Sequence, residues 1–138
     1  MKKTTAAITA VGGYVPDFVL SNKVLETMVD TNDEWITTRT GIKERRILKK
    51  ENAGTSYLAI KAAEDLIQKS GVDPSEIDFV LVATATPDLP VASTAAYVAS
   101  EIGAVNAFAY DKRHVPVSCM ECQPRLAILN LEDIRKSW

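Results

Sequence analysis

The residues of this chain best suited to chemistry lie between Thr31 and Arg46, where TNDEWITTRTG runs into Ile42-Lys43-Glu44-Arg45-Arg46. A tryptophan, several hydroxyls and three arginines fall close together, in a chain whose aromatic residues make up only 7%. The indole of Trp35 offers a flat face on which a nucleotide base can stack, because every base has a π-face. The guanidinium of Arg39 offers a bidentate fork to a phosphate. Four residues apart, the two share a face if the segment is helical. A plainer role fits the same residues: Trp35 covers the end of a core, and Glu34 and Arg39 are solvated charges. Residue chemistry alone leaves both open.

A second cluster lies near the C-terminus. Cys119-Met120-Glu121-Cys122 is a CxxC with His114 five residues upstream, the types that bind zinc or cycle between thiol and disulfide. A closed zinc site needs four ligands, and this stretch supplies three. A redox CxxC opens a helix after a strand, and here Pro124 follows instead. His114 has no partnered nucleophile to serve as a base. No metal site is therefore expected, and two cysteines make no disulfide framework.

The elements that must position these residues can be read from periodicity. Thr5 to Val15 is small and β-branched and ends in Gly12-Gly13 and Pro16, which predicts a strand running into a turn. Ser21 fits as the N-cap of a helix through Val29 with Val24, Leu25 and Met28 as its apolar face. The Thr31 to Thr40 segment is stopped by Gly41, and Lys43 to Leu48 reads as a short exposed strand. Thr55 to Ser70 predicts a helix with Leu58, Ala62, Ala63, Leu66 and Ile67 inward, Lys61, Glu64, Asp65 and Lys69 outward, and Gly71 as its C′ residue. Asp73 to Glu76 predicts a turn with Pro74 at its first helical position. Phe79 to Ala83 is continuously apolar, the pattern of a strand buried on both faces. After a loop from Thr84 to Pro90 come a small-residue helix from Ser93 to Ile102, closed by Gly103, and a strand at Phe108-Ala109-Tyr110. Leu126 to Ile134 shows helical apolar spacing. The alternation is that of an α/β sheet.

With 138 residues, 46% hydrophobic and 25% charged, the chain predicts one core. A net charge of −2 with scattered basic residues gives no footprint for nucleic acid or for an anionic membrane. Met1-Lys2-Lys3 resembles a signal-peptide start, but the stretch from Thr4 to Gly13 is too short and polar for an apolar core. No run approaches the roughly 20 residues that span a bilayer. A cytoplasmic protein is expected.

The string DEW...TRTGI...R, taken with VGGYVPDFVLSN before it and DFVLVATATPD after it, closely resembles the N-terminal region of the beta-ketoacyl-acyl-carrier-protein synthase III family. The resemblance runs from about Ile8 to Asp111. It implies an incomplete N-terminal part of a thiolase-like layered α/β fold, a mixed sheet flanked by helices, over residues 1–111. It also implies an acyltransferase that condenses a short acyl-CoA with malonyl-acyl-carrier protein to start fatty acid synthesis. Coenzyme A thioester would be a substrate, with no cofactor permanently bound. Thr31, Trp35 and Arg39 match positions that contact the nucleotide end of coenzyme A. Family members are homodimers, and Val91 sits where the family has a residue facing the partner's acyl pocket.

Beyond Asp111 the likeness stops. In the family the strand there leads into a helix that opens on the nucleophilic cysteine, a position where the helix dipole and free N–H groups hold a thiolate. Here that place falls near Pro116, so the catalytic set is empty and the chain is expected to be inactive alone. Read one frame over, the codons that can encode the residues from Asp111 onward permit QAACSSFLYGMSTAA, which resembles the missing helix. Residues 112–138 are thus expected to be a frameshifted or disordered segment outside the family. The alternatives are a non-catalytic dimerising or coenzyme-binding module, pairing with an intact synthase, and a small CxxC redox or zinc protein.

Overall fold

The computed structural model describes residues 7–112 and the backbone of 125–129. The chain divides into two compact units, Val15–Ala53 and Met1–Tyr14 with Gly54–Trp138.

In the first of these, β1 (Phe18–Ser21) pairs antiparallel with β2 (Glu44–Ile47), in a register that sets Phe18 opposite Ile47 and Ser21 opposite Glu44. Between them lie α1 (Asn22–Leu25) and α2 (Asp33–Thr40). The structure bears out the short exposed strand and the helix stopped by Gly41, whose φ of 72° is the left-handed conformation that ends helices. It corrects the first helix, which closes after one turn instead of running to Val29. Its expected apolar face is largely wet: Val24 and Met28 are exposed and Leu25 is only half-buried, and the buried residue is Asn22. Ser21 stands at the N-cap without a side-chain cap bond.

The second unit holds a sheet in the order β4-β3-β5. Its strands β3 (Phe79–Ala83) and β4 (Phe108–Lys112) are parallel, and β5 (Arg125–Leu129) lies antiparallel on the other side of β3. Two helices, α3 (Thr55–Ser70) and α4 (Thr94–Glu101), supply the inward-facing residues of the core. That core consists of Ala59 and Ala63 from α3, Ile77, Val80 and Val82, Ala95, Val98 and Ala99 from α4, Ile102 and Ala104. Alanine at the helix positions lets backbones approach closely at no cost in side-chain entropy.

Both helices end as expected, at Gly71 and near Gly103, each with positive φ. The buried line of α3 runs through Ala59 and Ala63, with Ile60 and Ile67 packed on the cluster, while Leu58, Ala62 and Leu66 are only half-buried. Outward, Lys61 pairs with Glu64 at 2.7 Å and Lys69 with Asp65 at 2.6 Å. Asp73 caps the 3₁₀ turn Pro74–Glu76 through Ser75 N–H, 2.9 Å away.

Three findings about strands differ from the sequence pattern. Val80 and Val82 are fully buried, but Phe79, Leu81 and Ala83 only half so, because α3 and α4 contribute to a core on one face of β3. Phe79 and Phe108 stack at 5.7 Å, and Phe108 is 65% exposed. Residues 7–15 form no strand. Instead, Gly13 N–H donates to Asp65 Oδ2 at 2.9 Å, Tyr14 meets Tyr57 edge-on, and a side chain on Gly12 would collide with the backbone of Leu66. The segment lies against a helix, where no ladder partner is offered. Residues 125–129 are extended, although the apolar spacing of Leu126 to Ile134 is helical. The remainder of that stretch, like His114, Pro116, Cys119 and Cys122, lies outside the described residues.

Two carboxylates fix the starts of the helices. Asp111, near the end of β4, accepts from Thr94 N–H at 2.9 Å and Ala95 N–H at 2.7 Å. Asp88 accepts from Ser56 N–H at 3.0 Å, next to Gly54, where a Cβ would displace it. Thr55 Oγ1 donates to the Thr86 carbonyl at 2.7 Å, which ties the loop after β3 to the start of α3.

Candidate functional site

α2 begins at a side-chain cap: Asn32 Oδ1 accepts from Trp35 N–H at 2.8 Å. Asp33 and Glu34 place negative charge in the first turn and Arg39 positive charge in the last, which complements the helix dipole. Only Ile36 of this helix is buried. Trp35 is 52% exposed, and the Arg39 guanidinium lies over its ring, 4.7 Å from the centroid. The helical spacing expected to bring these two together does so. The idea that Trp35 closes a core does not fit its exposure. Thr31 is half-buried and precedes the cap by one residue. No hydrogen bond or ring contact joins it to the other two. A solvated indole with a cation on one face can take a planar π-system or an anion alongside.

The hydroxyls are mostly engaged locally. Thr38 Oγ1 donates to the Glu34 carbonyl and Thr40 Oγ1 to the Ile36 carbonyl at 2.7 Å. Thr37 Oγ1 donates to Asp33 Oδ1 at 3.2 Å. Arg45 and Arg46, on β2, also have partners. Arg45 Nη1 donates to Asn22 Oδ1 at 2.5 Å, and Arg46 Nη1 reaches the Pro16 carbonyl at 3.4 Å.

Sequence reasoning missed Asn22. Its amide, 1% exposed, donates to Asp33 Oδ1 at 2.6 Å, to the Ile42 carbonyl at 2.8 Å and more distantly to Thr37 Oγ1 at 3.4 Å, while its oxygen accepts from Arg45. The hydrogen bond from Asn22 holds the Asp33 carboxyl below the usual aspartate range, against some desolvation that acts the other way and with smaller help from Thr37, Lys23 and Lys43. An Asn following Ser at a strand end looks like ordinary capping chemistry, so its spacing carries no signal of this role. Among the described residues no group of three or more His, Cys, Asp or Glu could hold a metal ion.

Over 111 residues, 80% of its length, the chain is 58% identical to the beta-ketoacyl-acyl-carrier-protein synthase III of Phocaeicola vulgatus. The chain belongs to this synthase III family. It spans about a third of the length of the curated relatives it matches, 33% in that case. Among solved structures it resembles the synthase III of Thermus thermophilus, with a TM-score of 0.71 and 49% identity over 77% of this chain and 32% of that one. It also resembles the priming beta-ketosynthase of the R1128 polyketide pathway, with a TM-score of 0.71 and 38% identity over 75% and 31%. No protein-family profile matches the chain. The described architecture is thus part of a thiolase-like α/β fold. No helix among the described residues is long and apolar enough to cross a membrane.

Proposed function

We propose that residues 1–111 are the coenzyme-binding N-terminal part of a beta-ketoacyl-acyl-carrier-protein synthase III, and that Trp35, Arg39 and Thr31 receive the nucleotide end of an acyl-CoA. The observation that carries this reading is the solvated Trp35–Arg39 stack on a helix that buries only one side chain. Trp35 would take the adenine ring, Arg39 a phosphate or the base edge, and Thr31 a hydrogen bond beside them.

The test is a fluorescence titration of the full chain with coenzyme A and, separately, with pantetheine, which lacks the nucleotide. Coenzyme A is expected to quench Trp35 and pantetheine to have no effect. Trp35→Phe, which leaves Trp138 as a background emitter, removes the response, and Arg39→Ala weakens it. An equal response to pantetheine, or one that survives Trp35→Phe, refutes the assignment.

The reaction in which this part would serve is the decarboxylative condensation of a short acyl-CoA with malonyl-acyl-carrier protein, carried out in the cytoplasm by a homodimer without a permanently bound cofactor. By the resemblance the family nucleophile would fall near Pro116, so the chain alone is proposed to be inactive. Incubation with acyl-CoA should leave no mass adduct on Cys119 or Cys122. An acylated cysteine overturns this. Residues 112–138 are proposed to be read out of frame, and sequencing the locus beyond the Asp111 codon decides it. A continuing synthase frame supports the proposal, and its absence removes it. A non-catalytic role, pairing with an intact synthase, draws on the exposed Leu89, Val91 and Phe108.

A further inference from the structure

We propose that Asn22 is the positioning residue for the Trp35–Arg39 pair: by tying both ends of α2 to β2 it fixes the rotation of that helix and hence where the pair points. In part this rests on the coenzyme reading of the pair. An eight-residue helix is marginal on its own and depends on packing to hold it, yet α2 buries only Ile36. What secures it is polar. Asn22 Nδ2 reaches Asp33 in the first turn, Thr37 one turn on, and the Ile42 carbonyl just past Gly41, so one amide touches the beginning, middle and far side of the element. The backbone N–H of Asn22 adds a bond to the Lys43 carbonyl at 3.2 Å.

The amide cannot be turned over. Its oxygen must face the Arg45 guanidinium, which only donates, and its nitrogen the Asp33 carboxylate and Ile42 carbonyl, which only accept. Asp33 and Thr37 are four apart and form the face that meets Asn22. Trp35 and Arg39 follow them by two residues each, about 200° round the helix, so they occupy the opposite face. The orientation of the pair is therefore the complement of the orientation Asn22 imposes. Consistent with a strong bond at this junction, Asn22 is also the main influence lowering the Asp33 carboxyl.

The test is nuclear magnetic resonance on the full chain. The Arg39 guanidinium lies over the indole, so the ring current is expected to shift its Nε–H upfield. In Asn22→Asp two carboxylates face each other, α2 rotates or frays, and the Arg39 shift collapses toward its free value. Coenzyme A binding then weakens about tenfold, the equivalent of losing one net hydrogen bond. Adding Asp33→Asn reverses donor and acceptor between the two positions and recovers part of both signals, the Ile42 carbonyl still lacking its donor. A merely structural role would not give this rescue at the indole. Arg45→Met, which frees the amide without adding a carboxylate, covers the case in which Asn22→Asp does not fold, and it should give a partial loss of the Arg39 shift. If Arg39 keeps its upfield shift in the folded variants, or the reciprocal swap recovers nothing, the proposal is overturned. If the wild-type chain fails to bind coenzyme A, the coenzyme reading falls, and the Arg39 shift alone decides for or against Asn22.

Discussion

Replacing Asp111 by Asn removes the charge that joins the end of β4 to the start of α4. Its two carboxylate oxygens accept from Thr94 N–H and Ala95 N–H at 2.9 and 2.7 Å. Both of those residues are essentially buried, so water does not replace the acceptor. Hydrogen bonds to a charged group contribute roughly 1.5–3 kcal/mol, and an anion beside a helix N-terminus adds about 0.3–1 kcal/mol. Asparagine keeps one accepting oxygen and loses the charge, so a loss of about 2 kcal/mol is expected. Alanine keeps neither and should lose about 3 kcal/mol. Ser93, whose hydroxyl accepts from Ala96 N–H at 3.1 Å, survives both changes and prevents a larger effect. Urea unfolding followed by far-ultraviolet circular dichroism measures this. With a slope of roughly 1–2 kcal/mol per molar for a chain of this size, the Asn variant should lower the midpoint by about 1–2 M. A midpoint within about 0.3 M of wild type would show that Asp111 does not secure the helix start.

Two further outcomes concern the N-terminal segment. Gly12→Ala puts a Cβ within 2.5–2.7 Å of Leu66 N, Cβ and Cα, which a helix backbone cannot yield, so residues 12–13 should lift away. Amide exchange at Gly13 should quicken while the interior of α3 stays protected; unchanged protection at Gly13 refutes this. The Asp65 carboxyl is held below its usual range first by Lys69 and then by Gly13 N–H. The stabilisation is therefore complete above the unfolded aspartate pKa and disappears as pH falls through the lower folded one. Asp65→Asn should flatten the acid limb of a stability-against-pH curve, and an unaltered limb would rule the contribution out.

What could be read from the sequence was whatever local chemistry decides. Gly41, Gly71 and Gly103 end helices because few other residues accept their backbone angles, and Thr55 to Ser70 announced itself through periodicity. Trp35 and Arg39 met because helical spacing alone brings them together. What depends on a distant partner was not legible. The β-branched Thr5 to Val15 is a strand only if another strand adjoins it, and the described part of it meets a helix. Val80 and Val82 alternate with half-buried neighbours because the core lies on one face of β3, which a continuous apolar run does not disclose. Asn22 gains its importance from Asp33, Ile42 and Arg45, between eleven and twenty-three positions away.

The alanines at 59, 63, 95 and 99 leave the interior of the sheet unit with an unusual tolerance profile. A core of isoleucines can lose a methyl group or exchange it for another shape. Here a side chain has almost nothing to give up, and any added carbon has to push two helices or a helix and a strand apart. Drift at these positions can therefore run in neither direction. The spacing of α3, α4 and β3 is set like a gauge, and loops and surface charges are left to absorb the variation between one such sequence and the next.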